Sequence, residues 1–205
     1  LYTRPETGGF AVHAALEQSG VDYDLVTIDP ANGHPAPAEF TQLSPLGQVP
    51  VLKLPDGTAM TESAAMMIYL GDLNREAGLS PAPDSPLRPH YLRWMVFCAA
   101  NLYMADLRYY YADRHTTDPA GIEGIKASAL ADMDRQFGIM NEALSGNTYL
   151  LGETSSGADI YAAMIAHWHP DVPAMFSACP NVERMCSSIK TLQSVKTAND
   201  YHHCW

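Results

Sequence analysis

The stretch SPLGQVPVLKLPDGTAMTESAAMMIYL, from Ser44 to Leu70, decides the fold of this 205-residue chain. Pro50–Leu54 (PVLKL) and Ala59–Thr61 (AMT) flank the turn signal PDG, so they predict a β-hairpin. Pro50 lacks an N–H and stands at the start of the first strand, where that loss costs little. Thr61–Asn74 then follows a helical pattern. The stretch therefore predicts a β-β-α unit.

The residues before this stretch alternate between strand-like and helix-like segments. Leu1–Thr3 predicts a short strand, and Gly9–Gln18 predicts a helix that stops at Gly20. Tyr23–Ile28 (YDLVTI) is rich in β-forming residues. Ala36–Leu43 predicts a short helix inside a loop rich in proline and glycine. With the hairpin unit, the predicted order is β-α-β-α-β-β-α.

The composition changes at Gly78–Pro89 (GLSPAPDSPLRP), where the density of proline predicts a linker. Beyond it, apolar residues recur at helical spacing from Leu92 to Tyr110 and from Ile122 to Leu144. Further helices are predicted over Gly157–His169 and from Pro180. We therefore predict an α/β domain followed by an all-α domain. The predicted boundaries are 1–77 for the first domain, 78–89 for the linker and 90–205 for the helical domain.

The charge balance restricts the possible partners. The chain has 12 Lys and Arg against 23 Asp and Glu, a formal net charge of −11. No basic surplus exists to neutralise phosphates, so we expect neither nucleic acid nor an anionic membrane as a partner. The four cysteines form no C-x-x-C pair and no run of about 18 apolar residues occurs, which favours a cytoplasmic protein. The closing YHHCW is a poor tetrahedral ligand set, so no metal is expected.

In order, spacing and motif, these segments resemble the glutathione transferase superfamily over nearly the whole chain. The matching pieces are the strand-turn-helix, P-x-G-x-V-P-x-L, the hairpin, TESAAMMIYL, the linker and the helical domain. SSGADIYAA (Ser155–Ala163) and CPNVERM (Cys179–Met185) resemble later family motifs, and Ser156 and Asp159 within the first predict a structural capping box. The resemblance implies a thioredoxin-like first domain, a homodimer, and glutathione as co-substrate.

The resemblance also implies which residues bind glutathione. The family has a cis proline at the position of Pro50, and a cis Val49–Pro50 bond would turn the backbone of Val49 toward an extended peptide, as an added strand does. Gln48 would bond the ligand backbone or its glycyl carboxylate. At the start of the following helix, Ser63 suits the γ-glutamyl carboxylate and Glu62 suits its ammonium group. Without the family context, a plain turn and ordinary helix capping explain the same residues.

The group that activates the thiol is left open between two hydroxyls in LYTRPETGGFAV, the first 12 residues, and a site in which neither of them works. Family members that use tyrosine have it at the end of the first strand, which corresponds to Tyr2. Members that use serine or cysteine have it in the next turn, near Thr7. No cysteine precedes Cys98, and Gly8 stands where the cysteine-type bacterial class has its cysteine. This favours a non-cysteine class, with Thr7 preferred over Tyr2.

The second substrate, a hydrophobic electrophile, would lie against the first long helix of the helical domain. The candidate lining residues recur at helical spacing and are Tyr103, Met104, Leu107, Tyr110 and Tyr111. The function implied is conjugation of the glutathione thiolate to this electrophile. Two alternatives stay open: a glutathione-dependent peroxidase or disulfide-bond reductase, and a non-catalytic binding module with the same fold.

Overall fold

The predicted hairpin is present in the structure, a computed structural model that describes residues 1–205. β3 (Leu52–Lys53) pairs antiparallel with β4 (Ala59–Met60), with Leu52 opposite Met60. β1 (Tyr2–Thr3) pairs in parallel with β2 (Val26–Thr27). A pair of hydrogen bonds between Tyr2 and Val51, at 2.9 and 3.0 Å, joins the two strand pairs through an antiparallel bridge.

Three helices complete the predicted order β-α-β-α-β-β-α: α1 (Gly9–Ser19), α2 (Phe40–Leu43) and α3 (Ser63–Leu73). Helix α1 ends at Gly20, whose φ of 65° is left-handed, as the sequence predicts. Ile28, Phe40 and Val51 pack around Tyr2 in an apolar cluster. The order of the N-terminal elements is therefore confirmed, although the observed strands are shorter than the sequence segments that predict them.

A close approach between β1 and α1 explains one of the two adjacent glycines. A Cβ atom at Gly9 would lie 1.8 Å from Oγ1 of Thr3, far inside contact distance. Thr3 is fully buried, so it has no room to move away. The first turn of α1 can lie against β1 only because Gly9 has no side chain.

The second unit, Asp84–Ile189, is entirely helical. It begins with α4 (Arg88–Phe97), which continues through a π-helical turn at Cys98–Leu102 into α5 (Tyr103–Tyr110). The remaining helices of this unit are α6 (Ile122–Ala143), α7 (Gly157–Ala166), α8 (Val172–Ala178) and α9 (Pro180–Ile189). The predicted all-α domain is confirmed. No helix of the chain combines the length and the apolarity that crossing a bilayer requires.

The division of the chain differs from the predicted boundaries at its C-terminal end. Lys190–Trp205 belongs with Leu1–Pro83 in the first unit, whereas the sequence prediction assigns it to the helical domain. The segment carries α10 (Gln193–His202), whose apolar side packs against α1. Phe10 of α1 contacts the rings of His202 and Trp205 at centroid distances of 5.9 and 4.8 Å. Helical periodicity predicts that α10 exists but does not identify the helix that it covers.

The predicted capping box at the start of α7 is present. The Ser156 hydroxyl accepts from the N–H of Ala158 at 3.3 Å, and Asp159 accepts from the N–H of Ser156 at 2.8 Å. Asp159 also accepts from the N–H of Leu150 at 2.7 Å and from the Ser156 hydroxyl at 2.8 Å. Burial raises the pKa of Asp159 to about 6 despite the three hydrogen bonds that it accepts. The carboxyl thus fixes the preceding loop as well as the helix start.

We expect Ser156→Ala to lower the free energy of unfolding by about 0.5–2 kcal/mol, because it removes the cap and one donor to buried Asp159. Urea unfolding followed by circular dichroism measures the change. Ser155→Ala, one residue earlier and outside the box, is the matched control and should have a smaller effect. Equal effects of the two substitutions would show that the capping box adds no stability.

Candidate functional site

The turn between β1 and α1 contains backbone N–H groups without hydrogen-bond partners, as a binding site for a small anion does. The backbone N–H groups of Thr7 and Gly8 donate to no acceptor within the chain, whereas Phe10 N–H is bonded to Thr7 O at 3.0 Å. The N-cap residue of α1, Gly8, has no side chain with which to cap the helix. Free N–H groups at the start of a helix, together with the positive end of its dipole, favour an anion. The turn is therefore suited to a thiolate or a carboxylate.

The Thr7 hydroxyl lies in this turn and is already hydrogen-bonded. It donates to the carbonyl oxygen of Arg4 at 2.8 Å and accepts a long bond from the N–H of Gly9 at 3.4 Å. Thr7 is partly exposed, so the hydroxyl is within reach of solvent or ligand. A rotation about its C–O bond would exchange the Arg4 carbonyl for another acceptor at the cost of one hydrogen bond.

The Tyr2 hydroxyl has a different environment. Tyr2 is buried within the apolar cluster of the first unit, with its ring 5.9 Å from that of Phe40. The hydroxyl donates to Oε1 of Glu39 at 2.6 Å. This hydrogen bond, followed by burial, raises the pKa of Tyr2. Both predicted hydroxyls are therefore present near the end of β1, but that of Tyr2 already has an ionised acceptor.

The C-terminal helix holds the turn in place. Glu6 N–H donates to the carbonyl oxygen of His202 at 3.2 Å, and Glu6 has a left-handed φ of 58°. The His202 ring is fully buried and lies 5.5 Å from that of His13. Neither ring nitrogen of His202 has a partner in hydrogen-bond geometry, although the Arg4 backbone lies close enough to raise its pKa slightly. Sequence reasoning missed this contact, because it depends on which helix covers α1.

A hydrogen-bond chain beside His13 and His202 determines the tautomer of His13. Tyr23 donates its single hydroxyl proton to Glu17, and the same hydroxyl lies 2.7 Å from Nε2 of His13. His13 must therefore donate from Nε2, which leaves Nδ1 as a buried acceptor without a partner. Burial lowers the pKa of His13.

The backbone at Val49 is free to pair with a ligand. The Val49–Pro50 bond is cis, as the family resemblance implies. The Ser44 hydroxyl donates to Gln48 O at 2.8 Å and accepts from Gln48 N–H at 3.0 Å, which fixes the preceding residue. The N–H and C=O of Val49 bond to nothing in the chain. The side chain of Gln48 is exposed.

The start of α3 presents the other two predicted glutathione-binding residues. Ser63 is the first residue of the helix and is nearly buried, while Glu62 precedes it and is exposed. Glu62 has a φ of 67°, which a residue with a side chain rarely adopts. No side chain caps the helix, and the positive end of a helix dipole favours an acidic ligand there.

The predicted electrophile-site residues occupy two faces of α5. Tyr103, Leu107 and Tyr110 share one face, where the Tyr103 ring meets Trp168 edge-on at 5.4 Å and Tyr110 donates to Trp168 O at 2.8 Å. Met104 lies on another face and is exposed. Tyr111 follows the helix, with the Arg114 guanidinium 4.0 Å from its ring centroid.

Two residues at the first of these faces, one on α5 and one that packs against it, are absent from the sequence-based set. Trp168 is brought there by the fold and carries no sequence signal. Asp106 lies between Tyr103 and Tyr110 and is buried. An acidic residue inside an apolar helical stripe is a signal that the sequence offers, because charged residues are almost never fully buried without a partner.

Comparison with known families agrees with this geometry. Residues 10–73 match the family model "Glutathione S-transferase, N-terminal domain", and residues 100–190 match "Glutathione S-transferase, C-terminal domain". The chain belongs to the glutathione S-transferase superfamily. Its first unit is accordingly the thioredoxin-like domain of that fold, and its second is the helical domain.

Individual relatives agree with this assignment. Glutathione S-transferase GstA from Escherichia coli O157:H7 is 28% identical over 173 residues, covering 82% of this chain and 81% of the relative. The structure of a sphingomonad glutathione S-transferase complexed with glutathione is 27% identical, has a TM-score of 0.85 and covers 99% of this chain and 98% of its own. The disulfide-bond oxidoreductase YfcG from Escherichia coli K12 is 26% identical over 168 residues, covering 78% and 75%.

We expect the buried His202 to make stability fall with acid. Burial, assisted by His13, lowers its pKa from 6.5 to about 3. Above pH 6.5 both states hold a neutral imidazole. Below it the unfolded chain binds a proton that the folded chain does not bind until about pH 3, so the free energy of unfolding drops by up to about 1.4 kcal/mol per pH unit.

The measurement is the difference in free energy of unfolding between the wild type and His202→Gln from pH 7.5 to 4.5. The comparison with a variant is needed because Asp106 and Asp159 also change the free energy of unfolding over this pH range. Their raised pKa values stabilise the folded state as the pH falls, and this effect cancels in the difference. The advantage of the wild type should shrink below pH 6.5. A flat difference for His202→Gln would contradict the assignment.

Proposed function

We propose that this protein is a glutathione transferase: it binds glutathione on the first unit and conjugates the thiolate to a hydrophobic electrophile bound by the helical unit. In the reaction the glutathione thiol loses its proton, sulfur forms a bond to carbon, and the leaving group departs with the bonding electron pair. The observation that carries the proposal is the pair of unpaired N–H groups at Thr7 and Gly8 beside the Thr7 hydroxyl.

Glutathione fits the groups around Val49 and at the start of α3. Its cysteinyl part would pair with the N–H and C=O of Val49 next to Pro50, as an extra strand pairs with a sheet edge. Its γ-glutamyl carboxylate would bind at Ser63 and the start of α3, and its ammonium group would pair with exposed Glu62. Gln48 is available to the glycyl end. A known relative with this fold was crystallised with glutathione.

Lowering the pKa of the glutathione thiol requires two stabilising contributions at the turn, one from the helix N-terminus and one from a hydroxyl. A thiol has a reference pKa of about 8.5, and lowering it by about two units takes roughly 2.7 kcal/mol of preferential stabilisation of the thiolate. A helix N-terminus supplies about 0.3–1 kcal/mol, and a hydrogen bond to a charged group supplies about 1.5–3 kcal/mol. The N–H groups of Thr7 and Gly8 plus the Thr7 hydroxyl reach this sum together.

Thr7 suits the role better than Tyr2. The bond from Thr7 to the Arg4 carbonyl is neutral, so a thiolate would compete for the hydroxyl proton successfully. The Tyr2 hydroxyl is bonded to the Glu39 carboxylate, and a thiolate has no such advantage over another anion.

The name of YfcG favours a second candidate, disulfide-bond reduction through bound glutathione. No cysteine lies in the turn of this chain, because Cys98 is the first along the sequence and is buried in the helical unit. A reductase would therefore have to use the glutathione thiol alone. All four cysteines are free, which agrees with the reducing cytoplasm that we propose as the compartment.

We expect Thr7→Ala to raise the pKa of enzyme-bound glutathione by about one to two units, because it removes a hydrogen bond to the thiolate. The rate of conjugation at neutral pH should fall about 10- to 100-fold. Thiolate absorbance in the ultraviolet, titrated against pH, measures the first quantity, and a thiol-conjugation assay measures the second.

Two substitutions are the controls for this experiment. Thr7→Ser keeps the hydroxyl and should retain the low thiol pKa, while Tyr2→Phe removes only the bond to Glu39 and should do the same. A raised thiol pKa in Tyr2→Phe with an unchanged one in Thr7→Ala would transfer the role to Tyr2. Full activity of both variants would remove both hydroxyls from the mechanism.

An apolar surface on α4 supports the proposed homodimer. Leu92 and Val96 are 36% and 59% exposed, and they line a shallow depression of about 390 Å³ with Arg93, Phe97 and Asn101. Exposed apolar side chains grouped on one helix face favour association, and soluble oligomers are most often symmetric pairs.

We expect the protein to sediment as a dimer, and we expect Val96→Glu to shift it toward the monomer, because the charge would be buried against the second copy. Ala131→Glu, at an exposed position of α6, adds the same charge away from the depression and should leave the dimer intact. Analytical ultracentrifugation at several concentrations gives both masses. A monomeric wild type would reject the dimer without affecting the glutathione site.

A further inference from the structure

Asp106 is a buried carboxyl group without a counter-charge. Only 5% of the residue is exposed, and Oδ1 has no hydrogen-bond partner. Arg108, two residues along the same helix, uses Nη2 to bind Oδ2 of Asp132 at 2.7 Å. Neither Arg108 nor any other cationic side chain forms an ion pair with Asp106. Burying a carboxylate without a partner costs free energy that packing alone does not return. A positively charged ligand bound at Asp106 would offset that cost.

Three aromatic rings surround the same part of the helical unit. Tyr103 precedes Asp106 by three residues and Tyr110 follows it by four, which makes both of them its neighbours on the helix face. Trp168 touches both tyrosines, with its ring 5.4 Å from that of Tyr103 and its carbonyl oxygen 2.8 Å from the Tyr110 hydroxyl. Burial, followed by the nearby charge of Asp106, raises the pKa of Tyr110.

We propose that Asp106, Tyr103, Tyr110 and Trp168 form a binding site for an organic cation, namely a protonated or quaternary amine. The proposal rests on the proposed transferase function and specifies its substrate: electrophiles that carry an ammonium group on an aromatic or aliphatic body. These four residues together are the cation site.

The chemistry of the cation site favours a cation over a neutral donor. The faces of tyrosine and tryptophan rings carry negative partial charge and attract ammonium groups within about 6 Å. Oδ1 of Asp106 adds a full negative charge when ionised, and the chain as a whole carries −11. Burial raises the pKa of Asp106 to about 7, so near neutral pH the carboxyl is partly protonated and an arriving ammonium group takes the place of that proton.

The cation site also explains why an acidic residue lies in this stripe. Leu107, beside it, is a half-buried apolar residue of the kind that such a helix face ordinarily carries. An apolar residue at 106 would avoid the cost of burying a carboxyl group. The aromatic residues alone would bind a neutral aromatic electrophile, and the carboxyl group adds discrimination by charge.

A pair of matched electrophiles tests the proposal. 4-(Trimethylammoniomethyl)benzyl chloride and 4-neopentylbenzyl chloride have nearly the same shape and the same leaving group, and they differ by one positive charge. The measured quantity is kcat/KM for conjugation with glutathione, each divided by the uncatalysed rate constant. We expect the wild type to prefer the cation at least about tenfold, and Asp106→Asn to lose at least about tenfold of that preference, with little change for the neutral compound.

Asp113→Asn is the matched control, because it removes the same charge from an exposed position in the segment after α5. It should keep the wild-type preference. A thermal melt confirms that Asp106→Asn is folded, which we expect because the substitution removes a buried ionisable group. An unchanged preference in Asp106→Asn, or no preference in the wild type, would overturn the cation site.

Calorimetric binding of benzyltrimethylammonium separates this proposal from the transferase function. The compound has no leaving group, so its binding is independent of conjugation. If neither electrophile is conjugated, the transferase proposal fails, and the cation site stands only if Asp106→Asn weakens binding of benzyltrimethylammonium by at least about tenfold. If the neutral electrophile is conjugated normally and the cation does not bind, the cation site alone is rejected.

Discussion

The contact between Gly9 and Thr3 is the constraint on which the first unit depends. It allows the first turn of α1 to lie against β1, with 1.8 Å between Thr3 Oγ1 and the place where any side chain at position 9 would begin. The residues in between, Arg4 to Gly8, must then turn sharply, and Glu6 takes a left-handed conformation to do so. The N–H groups of Thr7 and Gly8 are left without partners because the chain turns here. The candidate site is therefore a consequence of how closely two elements pack.

Most of the fold was predictable from the sequence because it depends on local signals. The turn PDG predicted the hairpin, Gly20 predicted the end of α1, and Ser156 with Asp159 predicted the start of α7. Each of these signals involves residues within a few positions of one another. The linker and the change to helical periodicity were equally local, so the division into an α/β and an all-α part was predictable too.

Contacts between distant segments were not predictable in the same way. Nothing local to His202 indicates that its carbonyl oxygen accepts from Glu6, or that α10 packs on α1. The ring of Trp168, which follows α7, lies 5.4 Å from that of Tyr103 on α5, and this contact joins segments far apart in the sequence. Candidate residues could be named from the family resemblance, but the partners of their polar atoms, which decide between Thr7 and Tyr2, required the structure.

The assignment of Lys190–Trp205 to the first unit affects how the chain folds during synthesis. The helical unit, Asp84–Ile189, is one continuous stretch, so all of it has emerged from the ribosome before α10 does. The first unit begins earliest but lacks the helix that covers Phe10 and His13 until the last residues of this sequence are made. Since domains fold as units while the chain grows, we expect the helical unit to fold first. The side of α1 that α10 covers stays uncovered over that interval.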